Sequence, residues 1–458
     1  MKTECTDRDL RFEGPGRREV VLRFDGGPIT SDGGVPLISE VDRKVGALER
    51  FATCFRDHRD PLRIDHGVLE MVRQRIYGIA AGYEDLNDHE HLRNDPLLCA
   101  VVGREDALAG KSTLNRLELS RPDSAASDRY RRIVLDPGKV DELLVDLFVE
   151  AHSAVPEEIV LDLDSTDDPI HGKQEGRCFH GYYDSYCYLP LYIFAGEHLL
   201  CARLRSSNID GSAGSKEEVE RIVEQIRRSW PTTRIILRAD SGFCRDALMS
   251  WCEQNGVDFI FGLAKNERLV REIQYELGMA QMEYATTLKS ARRFKELEYR
   301  TLDSWSRTRR VVAKAEYLRG KDNPRFVVTT LSQERIAARE LYEDLYCARG
   351  DMENRIKEQQ LDMFADRTST ATMLANQLRL YFSSMAYVLM SALRRLALQG
   401  TELAHAQCGT IRLRLFKIGA RVKVSVRRVW VSLSQSWPWA ELFVQVWRNI
   451  AAAPRPSS

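Results

Sequence analysis

Between residues 157 and 264 the sequence alternates apolar runs with amphipathic stretches in an order that allows few topologies. Short runs rich in β-branched residues predict strands, and longer stretches with apolar residues every three or four positions predict helices. The Gly196-Glu197 dipeptide predicts a tight turn and an antiparallel hairpin, whereas the helical crossovers that follow require parallel neighbours. The predicted strands are Ile159–Asp164, Cys187–Ala195, His198–Ser206, Arg234–Asp240 and Val257–Leu263, and the helices are Lys216–Trp230 and Arg245–Asn255.

Acidic residues stand near the ends of two of these strands. Asp240 closes an apolar strand and is followed at once by Ser241 and Gly242. On the first strand, Asp162 and Asp164 alternate with apolar residues, so both carboxylates project from one face. A carboxylate at the end of a strand is accessible to a ligand at the edge of the sheet. Two strands can therefore present acids to the same ligand.

A third candidate acid lies on a predicted helix. The stretch from about residue 337 to 364 is rich in helix formers, and Gly350 is its only glycine or proline. Four polar or charged side chains occur there at spacings of three and four, which places them on one helix face. They are Tyr346, Arg349, Glu353 and Lys357. Two strand-end aspartates and a helical glutamate predict a divalent-metal site for phosphoryl transfer.

These residues carry a resemblance to a known family. Asp164-Ser-Thr166 resembles the first acidic motif of the DDE transposases of bacterial insertion sequences, and Ala239-Asp240-Ser-Gly-Phe243 resembles their second. The pattern Tyr346-x-x-Arg349-x-x-x-Glu353 matches the Tyr-Arg-Glu signature of their third. The surrounding sequence is similar to the branch called insertion-sequence family thirteen-eighty. This similarity extends from about residue 20 to about residue 430.

The order of strands, with an acid on the first and another at the end of the fourth, is that of a ribonuclease-H-like α/β fold with a mixed sheet. Strand-like runs at Phe294–Leu302, Arg309–Tyr317 and Arg325–Leu331 predict a β-rich insertion at about 265–336. We predict three parts. They are a mainly helical DNA-end-binding region over 1–155, a catalytic domain over 156–400, and a basic region over 401–458 for DNA binding or dimerisation.

The resemblance implies a transposase that cuts double-stranded DNA at terminal inverted repeats, joins the 3′ ends to target DNA and works as a homodimer. In-line displacement at phosphorus is served by two Mg²⁺ ions, for which Mn²⁺ can substitute. The expected ligands are Asp164, Asp240 and Glu353, because Mg²⁺ prefers carboxylate oxygens and water. Asp162 is the alternative to Asp164, since both lie on one strand face.

Basic and aromatic side chains around Glu353 are expected to bind DNA. Arg349 offers a planar fork to a phosphate, and Tyr346 offers a hydroxyl and a ring, so both are expected to position the scissile strand. The alternative is structural: a salt bridge from Arg349 to Asp351 or Glu343, and a half-buried ring for Tyr346. Related branches have a basic residue seven positions after the glutamate, where this chain has Gln360. Lys357, one turn after Glu353, is the expected substitute.

Charge is unevenly distributed along the chain, although the formal net charge is zero. Residues 367–458 carry thirteen Arg and Lys but two acids, so the rest of the chain is acidic. A basic end on an acidic body is expected if one part holds phosphates while another gathers carboxylates around metal ions. The alternative is a solvated helical face.

Within this basic end, residues 412–428 alternate apolar and basic side chains. The alternation predicts two strands joined at Gly419, with one buried face and one basic face that lies along a phosphate backbone. Trp430, Trp437 and Trp439 are expected in the core rather than as stacking platforms for bases. The basic residues predicted to contact DNA are Arg412, Arg414, Arg421 and Lys423.

Composition favours a cytoplasmic protein, and the resemblance implies a bacterial one that associates with the nucleoid when bound to DNA. Ten cysteines are scattered without a Cys-x-x-Cys pair, which favours reduced thiols. The segment Met1–Leu10 is charged, which predicts no signal peptide. Serines and arginines interrupt the apolar stretch 381–398, which predicts a buried helix and no membrane span.

Two other functions remain open from the sequence. The chain could be a ribonuclease-H-like nuclease that cuts DNA without joining it, which a strand-transfer assay distinguishes. It could also be an inactive, domesticated DNA-binding protein. The presence of all three acids argues against the second alternative, because a protein that only binds DNA needs no metal ligands.

Overall fold

The computed structural model describes residues 10–13, 18, 20–119 and 132–454. Of the segment Met1–Leu10, for which no signal peptide is predicted, only Leu10 is among the described residues. Short parts of the predicted first and last regions also lie outside them. Within the described residues, no helix is both long and apolar enough to cross a membrane.

The described part of the chain before residue 155 is mainly helical. Strands β1 and β2 form a separate hairpin, and β4 pairs with β5. Short 3₁₀ turns lie at Pro61–Arg63 and Leu86–Asp88. The strands are β1 Leu10–Phe12, β2 Val20–Leu22, β3 Ile29–Thr30, β4 Phe55–Asp57 and β5 Ile133–Leu135; the helices are α1 Val35–Val45, α2 Ala47–Thr53, α3 Val68–Ala80, α4 His89–Leu92, α5 Pro96–Val102, α6 Lys111–Glu118 and α7 Pro137–Glu150.

A mixed sheet of nine strands occupies the middle of the chain, flanked by a small three-stranded sheet of β7, β9 and β8. The strands are β6 Glu158–Ser165, β7 Asp168–Pro169, β8 Cys178–His180, β9 Ser185–Tyr188, β10 Leu191–Ala195, β11 His198–Arg203, β12 Arg234–Ala239, β13 Asp258–Leu263, β14 Ala291–Tyr299, β15 Arg309–Leu318, β16 Lys321–Asp322 and β17 Arg325–Thr329. The helices between them are α8 Ser215–Ser229, α9 Asp246–Gln254, α10 Glu267–Glu272 and α11 Gln274–Thr287, and a 3₁₀ turn spans Ser241–Phe243.

The strand order of the large sheet is β11-β10-β6-β12-β13-β17-β15-β14, with β16 paired to β15. β6, β12 and β13 run parallel, while β10, β11 and β17 are antiparallel to their neighbours. Helices α8 and α9 supply the crossovers and pack with α7 on one face of the sheet. The predicted ribonuclease-H-like α/β fold is confirmed.

Two predicted features of this sheet differ in detail. The run predicted as one strand at 187–195 is divided into β9 and β10 around Pro190, which has no N–H to continue a ladder. The strand-like runs of residues 265–336 do form strands, and they extend the large sheet, because β17 pairs with β13. Helix α11, which the strand pattern did not indicate, packs on β14 and β15.

A long helical segment follows the sheet and returns across its second face. It comprises α12 Ala338–Glu340, a π-helical turn Leu341–Tyr346, a 3₁₀ turn Cys347–Arg349 and α13 Gly350–Met363. The chain then forms α14 Met373–Leu393, a π turn Arg394–Leu398, α15 Cys408–Ile411, a π turn Arg412–Phe416, strands β18 Ala420–Ser425 and β19 Arg428–Leu433, and α16 Ala440–Ala452. The stretch 381–398 is a buried helix, as predicted.

The first region and the last region share one hydrophobic core. Helix α14 packs against α1, α2 and α3, and α16 packs against α1. Strand β3 also pairs with β18, so the two ends of the chain contribute to one small sheet with β19. The helical part is therefore assembled from segments far apart in sequence.

The C-terminal hairpin differs from its prediction. Arg412–Phe416 is a helical turn, and the hairpin is formed by β18 and β19, with its turn at Val426 and Arg427. Leu415 and Phe416 are fully buried against the core. Trp430 was expected in the core and is 55% exposed.

Gly34 lies where the N-terminal helical region contacts the segment Arg412–Phe416, so its substitution tests that contact. A Cβ on Gly34 would lie 1.7 Å from the Leu415 carbonyl oxygen, whereas a Cβ on Gly67 would meet nothing within 4 Å. Both glycines are N-caps, of α1 and α3. We expect Gly34→Ala to lower the free energy of unfolding by about 2 kcal/mol more than Gly67→Ala, because the tightly packed backbone must shift. Equal losses in urea unfolding of the two variants would contradict this packing.

Candidate functional site

The predicted acids of the sheet lie on the face that the returning helical segment covers. Alternate apolar residues of β6 pack into the core on one side, so Asp162 and Asp164 point to the opposite face. The same alternation on β12 places Asp240 on that face. Because β6 and β12 are parallel and in register, Asp164 and Asp240 reach the same edge of the sheet.

Backbone amides orient two of these acids. Asp164 accepts a hydrogen bond through Oδ1 from the Ser165 amide at 2.9 Å, and Asp240 accepts one through Oδ1 from the Gly242 amide at 2.8 Å. Buried Arg205 holds the first of these turns, since its Nη2 donates to Ser165 Oγ at 2.8 Å. Within the described residues, Oδ2 of either acid accepts no backbone hydrogen bond, so each keeps one oxygen for another partner.

Asp162 is engaged elsewhere. Arg238, directly opposite on β12, donates to both of its carboxylate oxygens, with Nη2 at 2.7 Å from Oδ2. Both side chains are less than a tenth exposed. Arg238 also donates to the Leu345 carbonyl oxygen of the helical segment. This engagement favours Asp164 over Asp162 as the functional acid of the first strand.

The helical segment that carries Glu353 has the predicted extent, but it is not a regular α-helix. A π-helical turn and a 3₁₀ turn precede α13, which begins at Gly350. A π turn widens a helix and a 3₁₀ turn narrows it, so side chains before Gly350 do not follow the spacing of an α-helix. The segment therefore presents Tyr346 and Arg349 in directions that sequence spacing alone does not give.

Arg349 connects the helix to the sheet edge. Its Nη2 donates to Glu353 Oε1 at 2.6 Å and its Nη1 lies 3.3 Å from Asp164 Oδ2. One guanidinium thus bridges the acid of β6 and the acid of α13. Arg349 thus forms ion pairs, but within the described residues its partners are two of the predicted catalytic acids and not Asp351 or Glu343.

Tyr346 fits beside Asp240 because Gly262 of β13 has no side chain. A Cβ on Gly262 would lie 2.6 Å from the Tyr346 hydroxyl oxygen and 2.9 Å from the Ser241 amide nitrogen. The tyrosine therefore packs onto the sheet at the strand end where Asp240 lies. No sequence feature indicated this role of Gly262, since a single glycine in a strand marks a bulge or a close approach of the backbone without identifying the partner.

Burial and neighbouring charges perturb this cluster. Burial raises the pKa of Asp164 to about 6; Arg349 opposes this rise, whereas Asp240 and Glu353 add to it. Asp240 and Glu353 both act on Asp164, and three carboxylates that offer only oxygen donors suit a hard cation such as Mg²⁺. Within the described residues, no three acidic, His or Cys side chains are arranged closely enough to hold a metal ion. A cation shared by Asp164 and Glu353 would compete with the Arg349 guanidinium.

Lys357 lies one turn beyond Glu353 and is exposed on α13. Gln360, which stands where related branches have a basic residue, donates from its side-chain nitrogen to the Asp167 carbonyl oxygen at 3.0 Å. Gln360 therefore anchors α13 to the loop after β6, and Lys357 remains available for a partner.

Two of the four C-terminal arginines and lysines predicted to bind DNA are held within the protein. Arg412 donates from Nε to the Ala80 carbonyl oxygen at 2.9 Å and from Nη2 to the Asp362 carbonyl oxygen. Arg414 donates to Glu402 at 2.9 Å, and its guanidinium lies 5.1 Å from the Trp439 ring centroid. Both guanidiniums already have partners.

The other two lie on an exposed face of the β18–β19 hairpin. Arg421 and Lys423 alternate with buried Ala420 and Val422 on β18, and Lys423 is opposite Trp430 on β19. Ser425 and Arg428 extend the same face. Neither Arg421 nor Lys423 forms an ion pair within the part of the chain that the structure describes. The hairpin thus has one basic face that also displays an aromatic ring.

Comparison with known proteins finds one family. Residues 12–455 match the family described as Transposase DDE domain group 1, so the match includes all three predicted acids. Among curated proteins, none matches the chain. One similar solved structure is the cryo-EM structure of a piggyBac transposase synaptic complex with hairpin DNA. It shares 8% sequence identity, covers 93% of this chain and 83% of that chain, and has a TM-score of 0.41.

Asp162 and Asp164 should respond differently to substitution by asparagine in metal-free buffer. Folding raises the pKa of Asp164 from 3.8 to about 6. The contribution of Asp164 to the free energy of unfolding is therefore complete below about pH 4 and is lost as the pH rises through 6. Relative to that of Asp164→Asn, the free energy of unfolding of the wild type should therefore fall by up to about 3 kcal/mol between about pH 4 and 8. Denaturant unfolding at both pH values measures this change.

Asp162→Asn is the matched comparison. Burial also raises the pKa of Asp162, and Arg238 opposes this rise. Asp162→Asn leaves the buried Arg238 guanidinium without its charged partner, which should lower the free energy of unfolding by about 3 kcal/mol at neutral pH. If Asp162→Asn were as stable as wild type while Asp164→Asn unfolded more easily at pH 8, the structural and functional roles of the two acids would be reversed.

Proposed function

The chain belongs to the Transposase DDE domain group 1 family, and on that basis we propose that it moves an insertion sequence by cut-and-paste transposition. It cleaves DNA strands at terminal inverted repeats and joins the 3′ ends to target DNA. The observation that carries this proposal is that Arg349 bridges Asp164 and Glu353 at the edge of the sheet where Asp240 also lies. Membership of the thirteen-eighty branch stays a prediction.

The acids are proposed to hold two divalent cations, Mg²⁺ or Mn²⁺, through Asp164, Asp240 and Glu353. When bound, such ions activate the attacking oxygen and stabilise the leaving oxygen at phosphorus. Asp164 interacts electrostatically with both Asp240 and Glu353 and is the proposed shared ligand. Asp162 supports it by fixing β6 to β12 through Arg238.

Arg349 has a second proposed role once DNA enters. Its guanidinium is held by carboxylates and has the planar donor geometry that phosphate oxygens accept. A phosphate at the sheet edge would offer it a new partner next to the acids. Tyr346, packed over Gly262, would place its hydroxyl beside the same phosphate.

The basic hairpin face is the proposed contact with the DNA duplex outside the reacting phosphate. A two-stranded ribbon fits the major groove of B-DNA, and Arg421, Lys423 and Arg428 supply the charge. Lys357 is proposed as a contact closer to the acids. Arg412 bonds to backbone carbonyls of α3 and α13, and Arg414 pairs with Glu402, so neither guanidinium is part of the proposed DNA contact. Two copies of the chain are proposed to hold two DNA ends.

Glu353→Gln should abolish strand cleavage in Mg²⁺ while leaving DNA-end binding within about twofold of wild type. The amide keeps the shape of the side chain but loses the charge that a divalent cation needs. Asp351→Asn, at an exposed position two residues earlier, is the matched control and should cleave normally. The measurement is cleavage and joining of a duplex made from the DNA that flanks the gene.

Cleavage by Glu353→Gln at the wild-type rate would remove Glu353 from the site. Wild-type cleavage without any joined product would instead indicate a nuclease.

Replacing Arg421 and Lys423 with Gln should weaken binding to every duplex and lower the slope of log K against log salt by about 1.8, since each phosphate contact contributes about 0.9. The control is Arg228→Gln with Lys289→Gln, which removes the same charge at exposed positions on other elements. Titrations with cognate and unrelated duplexes test this. A loss confined to the cognate duplex would make these residues base readers.

A further inference from the structure

We propose that a groove leading from Asp240 past Lys265 to α10 holds the DNA strand next to the scissile phosphate, and that Lys265 and Arg325 bind its phosphodiesters. This inference rests on the proposed function and adds two positioning residues to it. Neither residue belongs to the acidic motifs or to the basic C-terminal region.

The groove begins at the acids. A cleft of about 340 Å³ opens beside Asp240 and is lined on its helical side by Tyr346 and Arg349. Lys265 and Arg325 line its other side. A second cleft, of about 630 Å³, shares the lining residues Lys265, Asp322 and Pro324 with the first and extends along α10. The two clefts are therefore parts of one continuous depression.

The topology of the sheet explains why these two cations are near the acids. β13 is the parallel neighbour of β12, so residues just after its end, including Lys265, emerge at the edge that carries Asp240. β17 runs antiparallel to β13 with Phe326 opposite Leu263, so its first residue, Arg325, begins at the same edge. Strand directions alone bring Lys265 and Arg325 together there.

Both cations are uncompensated. Lys265 and Arg325 are exposed, and neither forms an ion pair with an acid of the described residues. Other arginines on this half of the sheet do have such partners: Arg292, Arg293, Arg309, Arg310 and Arg335 each pair with Asp or Glu.

One acid of the groove, Asp322, accepts a hydrogen bond from Gln281 at 2.9 Å. Free positive charge beside a cluster of carboxylates attracts a polyanion to a place that the acids alone would repel.

The ligand chemistry follows from this charge pattern. A phosphodiester strand carries one negative charge per nucleotide, and two cations along a groove can bind successive phosphates while the acids engage the phosphate between or beside them. Such contacts position a strand without reading its sequence. Lys265 and Arg325 are therefore expected to affect the rate of cleavage more than the choice of sequence.

The first test combines Lys265→Gln with Arg325→Gln. We expect cleavage of the duplex from the flanking DNA to slow by about 10–100-fold, because a misplaced scissile phosphate lies outside the reactive geometry. The matched control is Lys289→Gln with Arg319→Gln, which removes one lysine and one arginine charge at exposed positions that do not line the groove. The control should cleave within about twofold of wild type.

A second measurement separates a phosphate contact from a general structural effect. In one experiment, a single neutral methylphosphonate linkage replaces one phosphodiester at a time along the cleaved strand near the cleavage site. In a second experiment, the same replacement is made in the target duplex. In wild type, one or two linkages in the cleaved strand should slow the reaction as much as the double substitution does. The Lys265→Gln, Arg325→Gln protein should show no further loss at those linkages, because interacting groups are not additive.

Equal losses at every linkage in both proteins would overturn the inference. An effect confined to linkages in the target duplex would overturn the assignment to the cleaved strand. Wild-type protein that cleaves no duplex with Mg²⁺ or Mn²⁺ would refute the proposed function itself, so the two failures can be told apart.

Discussion

The buried ion pair between Arg238 and Asp162 fixes the relation between sheet and helix on which the candidate site depends. Arg238 joins two neighbouring parallel strands through the carboxylate of Asp162 and reaches the Leu345 carbonyl of the returning helical segment. Burying two charges is costly unless each is well paired, and here every contact is made to a group whose position matters for the site. Strand β6, strand β12 and the segment bearing Arg349 are therefore held in one arrangement.

The same arrangement places Asp164 near two other carboxylates, where burial and repulsion disfavour its charged form. Burial already raises the pKa of Asp164, and two further carboxylates add to the effect. Arg349 offsets part of this repulsion by bridging Asp164 and Glu353. The same guanidinium can pair with phosphate, so the group that stabilises the protein without ligand also suits the proposed DNA substrate. In that proposal, stability and function use one side chain.

Local pattern in the sequence was sufficient for the strands, the crossover helices and the two strand-end aspartates, because alternation and parallel order fix which residues meet at an edge. The local pattern was insufficient where a side chain packs against residues that are distant in the sequence. Arg238 stands on an apolar strand, and nothing in the local pattern identifies Asp162 as its partner. The segment Arg412–Phe416 alternates apolar and basic residues like a strand, yet Leu415 and Phe416 pack as a helical turn against the backbone at Gly34. Tertiary packing decided between two conformations that the pattern allowed.

Helix α13 connects these parts through its two sides. One side presents Glu353 to the sheet edge, and the other buries Glu358, which pairs with fully buried Arg394 and accepts a hydrogen bond from the Cys408 amide. Arg394 also donates to the Ala406 carbonyl oxygen. The helix that carries the third acid is thus fixed to the segment that leads into the C-terminal hairpin. A duplex bound along the basic face of that hairpin would therefore be held at a defined distance from the acids, so that binding and positioning of DNA become one event.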